Sequence, residues 1–282
     1  MPTLRVAHSP DSDDAFMFWA LATDKIDTGT RAYVHELSDI ESLNQRALQG
    51  ELEITAVSFH AFAHLSNTYA LLPHGGSLGD NYGPRLVARD PKPIDPREAM
   101  RGKTIAVPGT LTTAFLTLQL YQSEFSPVVV PFDQIEGAVE SGEVDAGLLI
   151  HEGQLTYASH GLHLWLDLGE WWYNETDGLP LPLGCNVVRR DLGDELIHHV
   201  SHDLHASIQF GLAHREEALA YAMQFARGLD QQDADEFVGM YVNDLTVDYG
   251  PRGRRAVRIL LERAAQAGLV PDGVAIDFVG DS

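Results

Sequence analysis

The chain has 282 residues, 44% of them hydrophobic, enough for two compact lobes with cores of their own. A formal net charge of −22 argues against a nucleic-acid or anionic-membrane partner, because phosphates would meet a repelling surface. No apolar run approaches the roughly 18–20 residues of a membrane span, and the start has no charged-then-apolar export signal. One cysteine, Cys185, allows no intramolecular disulfide or cysteine zinc cluster, so we expect a cytoplasmic protein with a buried structural thiol.

In chain order, TLRVAH alternates like a strand, SPDSDD interrupts it, and AFMFWALAT resumes with helical character. Residues 30–36 read as the next strand. Ser38-Asp39-Ile40-Glu41 then has the pattern of a capping box and opens a helix that stops before Gly50. EITAVS gives a strand running into FHAFAHL, and TYALLP gives a short one before GGSLGDNYGP. From RLVARD the grammar restarts: Asp95-Pro96 opens a helix, KTIAVPG is a buried strand, LTTAFLTLQLY a helix, PVVVP a strand, DQIEGAVESG a helix, and EVDAGLLIH a strand. This alternation favours parallel sheets. LHLWLDL and a loop holding Trp171 and Trp172 precede the strand NVVRRDL, and residues 194–267 are helical. We expect a larger lobe I of residues 1–90 plus 186–282 and a smaller lobe II of 91–185. Strands near 86–90 and 185–190 would cross between them, and the cleft would lie between the lobes.

In open α/β sheets, ligands bind beyond the carboxyl ends of the strands, so the residues after each strand are the ones to inspect. VPGTLTTAF places Thr112 and Thr113 in the first turn of a helix, whose free N–H groups suit a carboxylate; with no Walker lysine or GxGxxG, nucleotide phosphates fit less well. Thr112 could equally serve only as an N-cap. His151 follows GLLI and should stand at a helix N-terminus, which disfavours the imidazolium by roughly 0.3–1 kcal/mol and so keeps a general base neutral; a structural histidine is the alternative. Glu152 is expected to cap that helix. Ser58 ends its strand at the cleft mouth, as a ligand contact or an N-cap. Asp11, Asp13 and Asp14 are expected to cap a helix rather than hold a metal, because the glycine and distal glutamate of a calcium loop are missing. His198, His199, His202 and His205 fall on one helix face without an HExxH pattern, and are expected to face solvent. Trp171, Trp172 and Tyr173 could form an aromatic pocket or a core cluster.

Five segments carry a resemblance along nearly the whole chain: SPDSDDAFMFWAL, GPRLVARD, AVPGTLTTAF, EVDAGLLIHEGQLTY and DLGEWWYNETDGLPLPLGCNVVRRDL. In this order and spacing the chain resembles the 1,4-dihydroxy-6-naphthoate synthase family of the futalosine route to menaquinone. The resemblance implies an α/β, two-lobed fold of the periplasmic-binding-protein type II kind. It also implies a lyase that needs no cofactor and releases 1,4-dihydroxy-6-naphthoate from cyclic dehypoxanthinyl futalosine. Carried over by position, the proton acceptor is His151, and the substrate contacts are Thr112, Thr113, Ser58, the preceding Ala56 and Val57, and Ser9; no metal is expected. The partner would be a small-molecule carboxylate, with a homodimer left open. A non-catalytic solute-binding protein for a small carboxylate shares the fold but would need an export signal, and a chorismate dehydratase of the same pathway fits the His151 context less well.

Overall fold

The computed structural model describes residues 3–226 and 229–281. Eleven strands among these residues form two sheets: β1 Thr3–His8, β2 Ala32–Leu37, β3 Ile54–Ser58, β4 Tyr69–Leu71, β5 Ser77–Gly79, β6 Arg85–Ala88, β7 Thr104–Val107, β8 Ser126–Val129, β9 Ala146–Leu149, β10 His163–Asp167 and β11 Leu181–Arg189. The first sheet runs β2-β1-β3-β11-β4, with β5 also on β11, and the second runs β10-β6-β9-β7-β8. Helices cover both, giving the expected two-lobed α/β architecture.

The sheets are mixed, not parallel. β1 lies parallel to β2 and β3, and β7 parallel to β8 and β9, as strand-helix alternation demands. β11 is antiparallel to β3, β4 and β5, and β6 is antiparallel to β9 and β10. These exceptions sit where the chain changes sheets. It leaves the first between Gly79 and Arg85 and returns between Asp167 and Leu181, so the segments expected to cross, 86–90 and 185–190, lie largely inside the second and first sheets respectively.

Local chemistry explains most boundaries. The helix Ser12–Ala22 is buried from Ser12 to Leu21, with Phe16 and Met17 fully enclosed, because from Ala15 onward it is apolar on every side and packs under the helices Asp194–Ala213 and Arg215–Ala222. Asp95 caps Pro96–Ala99 through the N–H groups of Arg97 and Glu98. Ile135–Ser141 ends on Gly142 at φ 82°, a left-handed closure that suits glycine. Two expectations need correction. Asp39, not Ser38, caps Ile40–Leu48 by accepting from the Ser42 N–H, so Glu41 is not its capping partner. Trp171 and Trp172 sit in a helix, Leu168–Glu175, whose cap is Asp167. No helix among the described residues is long and apolar enough to cross a membrane.

Candidate active site

The carboxyl ends of β1, β3, β7 and β9 converge on one cavity, which holds about 720 Å³ of empty space continuous with solvent. Its wall contains all seven residues singled out above: Ser9, Ala56, Val57, Ser58, Thr112, Thr113 and His151. Except for His151, whose side chain is 15% exposed, all are buried.

The residues that line one end of the cavity carry no charge and are rich in hydrogen-bonding groups. Ser58 precedes the helix Phe59–Leu65 at its N-cap position, but its hydroxyl makes no capping bond; it accepts from Asn44 Nδ2 at 3.2 Å, while the Ser58 N–H donates to Asn44 Oδ1 at 2.9 Å. Asn44 also donates to the Leu111 carbonyl at 3.4 Å. Thr112 caps the helix Thr113–Tyr121, accepting from the Phe115 N–H at 3.2 Å and donating to the Gly109 carbonyl at 2.9 Å. Thr113 donates to the Leu183 carbonyl at 2.6 Å. Both threonine hydroxyls therefore already have partners, and what this end offers a ligand is the first N–H groups of the helix. Glu41, from the other lobe, accepts from the Leu111 N–H at 3.1 Å; a Cβ on Gly109 would lie 2.3 Å from its carboxylate, so the approach needs glycine there.

The other end is acidic. Asp11 Oδ2 lies 3.0 Å from His151 Nδ1. Asp11 caps Ser12–Ala22 as expected, accepting from the Asp14 N–H at 3.4 Å, and Asp14 accepts from the Ser9 N–H at 2.7 Å. Burial raises the carboxyls of Asp13 and Asp14 well above the usual range, reinforced by the charge of Asp11; the nearby His151 outweighs burial at Asp11 and holds it well below that range. The three acids can place oxygens within 4.8 Å of one another, a spacing a hard cation could use. Asp11, one member of the three, is engaged by His151.

The expected setting of His151 is corrected here. The following helix, Gly153–Thr156, is a single turn whose N-cap is Glu152, without a side-chain capping bond. His151 stands before it at φ 56°, in the left-handed region that non-glycine residues seldom adopt, and faces the Asp11 carboxylate. Its ring meets Phe132 edge-on at 4.8 Å. The Gln154 amide is oriented so that its oxygen accepts the His151 N–H at 3.2 Å and its nitrogen donates to the Gly83 carbonyl at 2.7 Å, the arrangement that satisfies both.

The sequence reading did not single out Asn44, Gln154, Asn186 or Tyr241. Asn186 and Tyr241 line the cavity with Gln154, and Asn186 donates to the Gly75 carbonyl at 2.8 Å. A polar residue inside the buried run GCNVV was the one available signal. Cys185 is buried in the wall, its thiol turned to the Val57 carbonyl and pushed up by burial, in keeping with a structural role. Trp171 and Trp172 do not line the cavity; Trp172 is fully buried and donates to the Pro180 carbonyl. His198, His199 and His202 are exposed on the helix Asp194–Ala213, and His205 stacks on His74 at 4.3 Å.

Two sheets of mixed topology with a cleft between their strand ends define a periplasmic-binding-protein-like fold. The periplasmic aliphatic sulphonate-binding protein of Escherichia coli shares it, with a TM-score of 0.63 at 12% identity over 98% of this chain and 91% of that one. The family model described as menaquinone biosynthesis matches residues 4–266, and the chain belongs to that family of enzymes. It is 42% identical over 269 residues to the 1,4-dihydroxy-6-naphtoate synthase of Thermus thermophilus, covering 95% of this chain and 96% of the relative. With the enzyme of the same name from Streptomyces coelicolor it shares 39% over 275 residues, 95% of each. A crystal structure of an Archaeoglobus fulgidus protein superimposes with a TM-score of 0.90 at 47% identity, over 95% of this chain and 98% of that one.

Proposed function

We propose that this enzyme is a carbon-carbon lyase that converts cyclic dehypoxanthinyl futalosine to 1,4-dihydroxy-6-naphthoate, with His151 as proton acceptor. The observation that carries the reading is the position of His151: it faces a buried carboxylate in a cavity whose opposite end presents neutral donors. A substrate carboxylate would be repelled by Asp11 and received at the start of the helix Thr113–Tyr121, beside Ser58, which turns the rest of the molecule toward His151. Proton removal there starts the cleavage that expels the sugar-derived fragment and allows aromatisation. A positioned base contributes about 10²- to 10⁴-fold; orientation and the donors of the neutral end supply the remainder. The reaction is read as cofactor-free and cytoplasmic, with two lobes that close on the substrate and part where the chain changes sheets, between Gly79 and Arg85 and between Asp167 and Leu181, rather than at residues 90 and 186.

The test is anaerobic incubation of the protein and of His151→Ala with the cyclic substrate, following naphthoate by mass spectrometry before and after dialysis against chelator. Product from the wild type in both states, with a variant that binds but scarcely turns over, supports the reading. Binding of small carboxylates without product by either protein would instead favour a solute-binding role.

A further inference from the structure

Asp11 and His151 come from opposite sheets: Asp11 follows β1 and His151 follows β9, 140 residues later in the chain. Asp11 is 2% exposed, and its carboxylate faces the His151 ring at 3.0 Å while also accepting from the Asp14 N–H. An ionised carboxylate can only accept, so the histidine nitrogen facing it must carry a proton. Neutral His151 is thereby fixed as the Nδ1–H tautomer, and Nε2 becomes the basic nitrogen. Phe132, which follows β8 in the same lobe as His151, meets the ring edge-on at 4.8 Å and restricts it from the side away from Asp11's lobe.

We propose that Asp11 is a positioning residue for the reaction: it sets the tautomer and ring plane of His151 and stabilises the imidazolium formed when the substrate proton arrives. The inference rests on the reading of His151 as the base. The surroundings keep the negative charge on Asp11. Asp13 and Asp14, on the same turn, are held toward their neutral forms by burial and by the charge of Asp11. His8 on β1 is pushed down to about 4, chiefly by burial, and is uncharged at neutral pH. Tyr241, from the helix Gln231–Tyr241, keeps its phenolic proton because burial raises it. Glu152 lies on the His151 side and adds to the field at Asp13. Asp11 therefore has two separable jobs, capping a helix and facing a base, and one substitution divides them. Asparagine caps as well as aspartate does but carries no charge.

For Asp11→Asn, kcat should fall about 10²- to 10⁴-fold with KM within about threefold of wild type, the range seen when the acid orienting a catalytic histidine is made an amide. The acid limb of kcat/KM should move to lower pH, because the imidazolium has lost its counter-charge. The wild type, with ¹⁵N-labelled histidine, should show His151 as the Nδ1–H tautomer, assigned by loss of that signal in His151→Ala. An asparagine variant with wild-type kcat and an unmoved pH profile would overturn the proposal. So would a loss confined to KM, or an Nε2–H tautomer in the wild type. The tautomer is read without turnover and without the variant. Failure of the wild type to release naphthoate would sink the lyase reading on its own, separately from these outcomes.

Discussion

The two ends of the cleft are built alike and do opposite chemistry. Each takes one post-strand loop from each sheet: Ser58 after β3 meets Thr112 and Thr113 after β7, and Asp11 after β1 meets His151 after β9. At the first end, hydroxyls and an asparagine hold one another in place and leave helix N–H groups as the available donors. At the second, a cluster of three buried acids meets one imidazole through Asp11. The difference teaches that a two-lobed binding fold becomes polar along its cleft by varying only strand-end loops. An anionic ligand then has one sensible orientation.

The largest way to break this polarity is to make both ends acidic. Ser58→Asp places a carboxylate beside the helix start Thr113, and we expect KM for the cyclic substrate to rise at least about 10²-fold, worth roughly 3 kcal/mol. Steady-state kinetics with titrated substrate checks it; an unchanged KM would mean that the substrate carboxylate binds elsewhere. A smaller break removes the support and leaves the charge alone. In Asn44→Ala the buried Ser58 N–H loses its acceptor, and Ser58 Oγ and the Leu111 carbonyl lose their donor. We expect a loss of about 1–3 kcal/mol in urea unfolding and a KM increase of about tenfold, because the same side chain ties the two lobes together.

Much of this arrangement was legible in the sequence, and the gaps have physical causes. Strand ends could be found because Gly, Pro, Ser and Asp punctuate them, and inspecting those ends collects residues that do line one cavity. Strand direction was not legible. β6 and β11 look like any other buried strand, and their antiparallel pairing follows from where the chain changes sheets. Local rules also failed where two partners compete for one side chain. Glu41 matches the capping-box pattern but accepts from the Leu111 N–H, 70 residues away. Nor could spacing decide which of Asp11, Asp13 and Asp14 faces His151, since that depends on how two distant loops meet. The helix holding Trp171 and Trp172 is a plain miss. Asp167 accepts from the N–H groups of Gly169 and Glu170, an ordinary capping signal that the sequence reading passed over.

The acidic end can be sharpened by relieving it. Asp13 titrates above its unfolded value, chiefly because it is buried and secondly because Asp11 is charged. The folded protein therefore holds a proton that the unfolded chain releases, so this group's contribution to stability is full below about pH 4 and is lost as pH rises toward the folded value. Asn cannot titrate. Asp13→Asn should thus melt higher than wild type at pH 7, by a few degrees at about 2–4 °C per kcal/mol, and the gap should close as the pH approaches 4. Calorimetry at the two pH values checks both the sign and the closing of the gap. Equal melting temperatures at pH 7 would mean that Asp13 is ionised in the folded protein.

The smallest effect belongs to histidines outside the cleft, and it separates a functional histidine from a merely clustered one. His202 faces Asp203 at 3.4 Å, close in geometry to His151 and Asp11, but its side chain is 74% exposed. Asp203, moreover, is already bound by both Arg31 and Tyr33. Water screens the pair, and the carboxylate does not depend on the histidine. His202→Ala should change stability by no more than about 0.5 kcal/mol and leave naphthoate release unaltered, whereas His151→Ala should abolish most of it. A large loss on His202→Ala would show that charge at the helix Asp194–Ala213 reaches the site, and that burial is not what distinguishes the two histidine-aspartate pairs.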